Sequence, residues 1–306
     1  MGERPVMRIS VQTSSFDSLK EAALSDCDDV RFGSEFCELN LPSEDQLKEG
    51  LDLALDNGKE FTYVTPRLSN SGIERVRRHL ALLDSRGDVR VVLNDLGTLN
   101  IMEGYRNLRP HIGRQLCHVP ARCPWSDKII HRGAEGRLEK LYHRMTRRWV
   151  ERAFSTTSLN YRLTLDLYER SGARGLDVDW IPRIFPSLGY LRGAGLSLSL
   201  HTELILATWS RRCYTAHFLG EEDLSKCSRP CLDKGYVLKG GVHDVELFLH
   251  GNVVYSFRQP SLEDAKRLRR GVISELVLSM NPLTGFDDRK KIDDFKSNSE
   301  AVKALR

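Results

Sequence analysis

Strand and helix patterns alternate four times within the first hundred residues, and that repetition confines the chain to a parallel sheet with helical crossovers. Residues 7–12 alternate apolar and polar positions as a half-buried strand does, and residues 15–24 then take up a helical period. Residues 29–33 supply the second strand. Residues 42–55 supply a helix whose first turn carries Glu44 and Asp45, where carboxylates suit the helix dipole, and Asn57-Gly58 ends it. The third strand is 61–65, the third helix 71–83 and the fourth strand 89–93. Parallel α/β folds place ligand sites beyond the carboxyl ends of their strands, so Asp95 and Asn100, just past the fourth strand, are candidate site residues. The plainer reading of Asn94-Asp95 is a cap for the next helix.

Beyond residue 112 the regular pattern gives way to a basic insertion, residues 117–154, with a helix over 138–154. Residues 106–152 contain twelve Lys or Arg against four Asp or Glu, in a chain of net charge +4 overall. Such a segment suits an anionic partner, nucleic acid among them, or is a solvated helix face. Trp125, Tyr142 and Trp149 among the arginines fit either nucleic acid or the buried side of an amphipathic helix. The alternation resumes with a short strand at 155–158, a helix over 161–170 and strands over 175–180 and 196–200. An apolar stretch to Trp209 follows. Residues 245–257 read as an antiparallel hairpin turning at Gly251-Asn252, residues 261–278 as a final helix, and residues 286–306 as a charged, frayed tail. Residues 1–285 are thus expected to form a single domain.

Cys213, Cys227 and Cys231 lie within nineteen residues of a charged segment that has no hydrophobic period, which makes a loop presenting thiols. Thiolates favour zinc, copper(I) or iron-sulfur clusters, and a four-thiolate centre needs one more ligand. Cys37 is the candidate, because it follows the second strand and stands at a strand tip. Cys27, beside two aspartates, is expected to be a small buried hydrophobe, and Cys117 with Cys123 makes no convincing metal pair. Seven cysteines in 306 residues are too sparse for a secreted disulfide framework. No apolar run approaches the length of a membrane span, and the first residues lack the apolar core of a secretory signal and the Ser or Thr of a myristoylation motif. The expected location is therefore cytoplasmic.

Gly33 with Cys37, the run Asn94 to Gly97 with Asn100, the run Arg212 to Ala216, and Cys227-Ser-Arg-Pro-Cys231 with the following hairpin resemble the collagenase-like peptidases, family thirty-two of the unassigned peptidases. The likeness runs from about residue 7 to residue 260. It implies a TIM-like (β/α) barrel and a [4Fe-4S] cluster held by Cys37, Cys213, Cys227 and Cys231. It further implies a role in oxygen-independent hydroxylation, as in ubiquinone biosynthesis, with a small anionic hydroxyl donor such as prephenate and a second family member as heterodimer partner. Substrate would then lie near Glu35 and Asp95 as the catalytic residues, with Arg67 and Asn100 as binding residues. The basic insertion has no counterpart in that pattern. The alternatives are an RNA-binding or tRNA-modifying protein, a zinc protein, or a true peptidase. His217, His243 and His250 form no recognisable pair with a nucleophile in the sequence.

Overall fold

In the computed structural model the described residues are 7–131, 136–221, 223–224, 227–239, 245–268, 273–284, 289–299 and 302–303. Residues 1–6, read above for targeting motifs, and His243 lie outside them.

Eight parallel strands close into a barrel in the order β1-β12-β7-β6-β5-β4-β3-β2. They are β1 (Arg8–Thr13), β2 (Asp29–Gly33), β3 (Glu60–Val64), β4 (Val89–Leu93), β5 (Leu108–Ile112), β6 (Gly175–Asp179), β7 (Ser197–His201) and β12 (Ile273–Ser279). The first crossovers are helices α1 (Phe16–Leu24), α2 (Glu44–Asp56) and α3 (Asn70–Arg86), each opened by a serine whose side chain accepts a backbone N–H. Gln46 completes a capping box with Ser43 on α2. These elements match the expected ones to within a few residues.

β5 escaped the sequence pattern because Arg109, Pro110 and His111 interrupt its apolar run. The strand expected at 155–158 is instead the end of helix α6 (Arg137–Ser155) and a short 3-10 turn. The insertion between β5 and β6 holds α5 (Ser126–Ile130) and α6, α7 (Arg162–Arg170) returns the chain to β6, and the short α8 (Phe185–Leu188) lies between β6 and β7. Tyr142 and Trp149 are exposed, so of the two readings left open for them the buried side of an amphipathic helix is excluded. The final helix expected over 261–278 is also corrected. Among the described residues there, only α10 (Leu262–Arg267) is helical, and residues 273–279 become β12, whose Leu276 and Leu278 are fully buried while the strand joins β7 to β1. A run of Ile, Val and Leu is ambiguous in isolation, and barrel closure decides it. Nor is the tail frayed where it is described. Residues 289–298 form α11 (Arg289–Asn298), which lays Ile292 and Phe295 on the barrel core beside α1, with Lys296 on Asp28.

Between β7 and β12 the chain leaves the barrel and builds a second sheet, ordered β8-β11-β10-β9. It comprises β8 (Glu203–Trp209), β9 (Tyr236–Leu238), β10 (Leu247–His250) and β11 (Val253–Arg258), with helix α9 (Tyr214–Phe218) after β8. The hairpin expected at 251–252 is the turn between β10 and β11. Leu204, Leu206, Val253 and Tyr255 form a small core under this sheet, separate from the large core between barrel and helices.

Apolar strand residues such as Ile9, Val30, Phe61, Val91 and Leu176 belong to that large core, and the alternate positions fill the barrel interior with polar groups. Ser10 and Ser199 donate to Glu275, and Arg90 reaches both Asp29 at 2.5 Å and Glu275 at 2.7 Å. Arg31 pairs with Asp177, which also accepts from Nε2 of His111 at 2.9 Å and of His201 at 3.0 Å. Burial pushes both histidines down and keeps them neutral. Against the cost of burial, Arg90 and Arg31 hold Glu275 well below the ordinary carboxylate range, whereas burial and the neighbouring Glu275 push Asp29 up.

Gly33 ends β2 with φ +136°, and a Cβ there would lie 2.2 Å from the Val64 carbonyl oxygen. Gly33→Ala must separate β2 from β3, and urea denaturation should show a loss of about 2 kcal/mol. Glu203, where the chain leaves the barrel, is buried at φ 66°, and its Oε2 has no hydrogen-bond partner among the described residues. Burial pushes its carboxyl up to about 7. A carboxyl raised on folding costs nothing below its unfolded value and its full penalty above its folded one. The penalty therefore grows from about pH 4 to pH 7 and reaches about 3 kcal/mol. Glu203→Gln should remove this pH dependence, so the variant gains stability relative to the parent at pH 8 but not at pH 4.

Candidate functional site

The carboxyl ends of the barrel strands and the second sheet meet over two adjoining cavities. The smaller, about 70 Å³, is lined at the ends of β1, β2, β5 and β12 by Gln12, Glu35, Arg114 and Asn281, and from the second sheet by His250 and Tyr255. Arg114 organises it. Its Nε and one terminal nitrogen bind both oxygens of Glu35 at 2.6 and 2.9 Å, and its other terminal nitrogen meets Asp179 at 2.8 Å and the Leu204 carbonyl at 2.9 Å. Its guanidinium carbon lies 5.6 Å from the ring centre of Phe36 and 5.7 Å from that of Tyr255. Gln12 donates to Glu35 at 3.1 Å, and Arg122 holds the second oxygen of Asp179 at 2.5 Å. Against burial, Arg122 and Arg114 depress the Asp179 carboxyl, which remains ionised.

The larger cavity, about 330 Å³, is lined by Cys37, Cys213, Cys227 and Cys231. Each thiol arrives on a different local device. Cys37 follows β2 and caps a 3-10 turn over Glu38–Asn40, with its N–H on Ser34 Oγ at 3.2 Å. Cys213 caps α9, and its sulfur accepts the Ala216 N–H at 3.4 Å. The Cys227 sulfur accepts the Arg229 N–H at 3.4 Å, a turn made possible by the left-handed backbone of Arg229 at φ 58°. Cys231 is buried and accepts from Asn40 Nδ2 at 3.7 Å. The hairpin turn abuts it, since a Cβ on Gly251 would lie 3.5 Å from its sulfur. Burial, followed by the charges of Cys231 and Cys213, pushes the Cys37 thiol up to about 11. Burial and the other thiols of the group likewise raise Cys213 and Cys231. Phe36, Cys37, Asn40 and Cys231 line both cavities, so two of the four thiols form a wall of the smaller one.

The sequence-derived site residues divide accordingly. Glu35 lines the small cavity as the partner of Arg114, and Arg67 lines the thiol cavity from the end of β3. Asp95 and Asn100 line neither. Asp95 caps α4 (Leu96–Ile101) by accepting the Gly97 N–H at 2.7 Å, and Asn100 is exposed on that helix. The strand-end rule holds for the element but not for these side chains, because the helix end takes up the carboxylate. Cys27 and Cys117 are buried in the core away from both cavities, and Cys123 lines neither. Among the described residues, no three Cys, His, Asp or Glu side chains form a group that could hold a metal ion.

Arg114, Asn40 and Tyr255 were not singled out from the sequence, and Asn252 was read there only as a turn residue. Arg114 was within reach, two residues past a strand that periodicity missed. Asn252 ties the two halves together, donating to the carbonyls of Phe36 and Ser210, each at 2.8 Å.

Fold and site together define an α/β barrel of the TIM type with a thiol-lined cavity at its carboxyl-terminal mouth. No family model matches the chain, and no curated protein matches it. Among solved structures it is similar to the U32 peptidase Mk0906, with a TM-score of 0.45 and 14% identity over 93% of this chain and 96% of that one. It is also similar to D-psicose 3-epimerase from Clostridium cellulolyticum H10 with D-tagatose, with a TM-score of 0.31 and 12% identity over 98% of this chain and 96% of that one. At such scores these likenesses say nothing of what the chain does. The barrel stands on its own strand order.

Arg114→Met leaves Glu35 buried without its cation and Asp179 with one of its two. It should cost about 3–5 kcal/mol in urea denaturation, because an unpaired buried charge is expensive.

Proposed function

We propose that the chain is a [4Fe-4S] protein of an oxygen-independent hydroxylation system, similar to UbiV of the UbiU-UbiV pair, and one half of a heterodimer. The observation that carries this reading is that four thiols, three of them from one loop and one from a strand tip about 180 residues earlier, line a single cavity. The donors fit such a cluster in number and kind, although as placed they form no group that would hold a metal ion. Four thiols match its ligand requirement, N–H groups already point at the sulfurs of Cys213 and Cys227, and an Asn side chain points at that of Cys231.

Bound there, the cluster would supply electron transfer, its irons all being ligated by the protein. The chain's own residues do the rest. Cys37 and Cys231 line both cavities, so a substrate group in the small cavity would adjoin two of the residues that would hold the cluster. Arg114 fixes Glu35 in place and, with its charge already neutralised by two carboxylates, leaves the recognition of an anionic donor to other cations. Arg67, Arg211 and Arg229 line the thiol cavity, and Arg67 keeps the donor-binding role read from the sequence. Glu35 keeps the catalytic role. Asp95, occupied as a helix cap, and Asn100, exposed on α4, have none in this scheme.

Protein purified without oxygen should be brown, carry about four iron and four sulfide per chain, and lose visible absorption on reduction. Changing any one of Cys37, Cys213, Cys227 or Cys231 to Ser should lower bound iron, whereas the same change at Cys27 or Cys123 should not. A colourless, iron-free anaerobic preparation would refute the proposal.

A further inference from the structure

Helix α6 has no fully buried residue, although it is the longest helix among the described residues. It lies on the barrel through half-buried His143, Thr146, Val150 and Phe154, against α5 and the 3-10 turns at 120–122 and 182–184. Its other side carries Leu138, Leu141, Tyr142, Met145 and Trp149, all between 52% and 84% exposed. Their spacing of three, four, seven and eleven residues from Leu138 puts them in one stripe. Ile129 of α5, which touches α6, adds a further exposed apolar side chain. The rest of the outer surface is cationic. Arg137, Lys140, Arg144, Arg147, Arg148 and Arg152 face only Glu139 and Glu151 as acids on this helix, and Glu151 is paired with Arg147 at 2.8 Å.

The geometry points to α6 as a docking element for an anionic phospholipid bilayer, the helix lying flat with its apolar stripe in the headgroup region and its cations on the lipid phosphates. A helix with a low overall hydrophobicity, an apolar face containing Trp and Leu, and a Lys- and Arg-rich polar face is the chemistry of interfacial binding. The cations complement an anionic leaflet. Nucleic acid would use the arginines but leave Leu138, Leu141 and Met145 in water. A groove that engulfs a helix is ruled out by the barrel, which already occupies the opposite face, so the occupant must be a broad surface met along one side. No helix among the described residues is long and apolar enough to cross a membrane, and docking of this kind needs none. The inference is independent of the cluster proposal.

The test is flotation of the full chain with vesicles of equal parts phosphatidylglycerol and phosphatidylcholine, and with vesicles of phosphatidylcholine alone. The chain should float with the anionic vesicles and not with the neutral ones, and added salt should weaken binding. Trp149→Ser with Leu138→Ser, and separately Arg144→Glu with Arg148→Glu, should each weaken it about tenfold or more. All four positions are exposed, so circular dichroism and denaturation midpoints should stay those of the parent. Absence of flotation with anionic vesicles overturns the inference, as does flotation that both double variants leave unchanged. A dimer that dissociates in the Trp149 and Leu138 variant while no vesicles are bound would assign the face to a second copy instead. Tighter binding to single-stranded RNA than to vesicles, undisturbed by that same variant, would assign it to nucleic acid.

Discussion

The structure depends on charges being matched inside a closed barrel. Arg31, Arg90, Arg114 and Arg122 face Asp29, Glu35, Asp177, Asp179 and Glu275 across a space that other barrels of this type fill with branched aliphatic side chains. Each cation is shared between strands or strand ends far apart in sequence, so the partners exist only once the barrel has closed. A carboxylate stranded in that interior would be costly, and each of these five has an arginine beside it. Neutral His111 and His201 donate to Asp177 without adding charge.

The same network reaches the mouth and sets the site. Arg114 and Arg122 lock Asp179, Asp179 accepts the Leu206 N–H at 3.2 Å, and the second sheet is thereby fastened to the barrel at β8. From the sheet, Asn252 reaches the Phe36 carbonyl just before Cys37, and Gly251 stands against Cys231. A strand-tip loop and a distant cysteine loop are thus held in register by one hairpin turn. The thiols gather because the hairpin spans both.

How much of this was legible follows from which signals are local. The helices α1 to α3 announce themselves through Ser15, Ser43 and Ser69 as caps and through apolar periodicity, both properties of neighbouring residues. β5 is hidden by Arg109, Pro110 and His111, of which His111 turns inward to Asp177. β12 reads as helix until β1 and β7 are known to flank it. The exposed Trp149 contradicts a sound rule about tryptophan, because the insertion gives α6 only one neighbouring surface.

Sequence alone determined the parallel α/β class, the basic insertion, the hairpin at Gly251-Asn252 and which residue types could bind a soft metal, since each depends on a pattern within a short window. Tertiary structure decided that Arg114 pairs with Glu35, that Asp95 is a cap, that residues 273–279 close the barrel, and that Cys37 shares a cavity with the three later cysteines. Those outcomes turn on distances between segments more than sixty residues apart or on competition for a single helix end, and no local pattern encodes either.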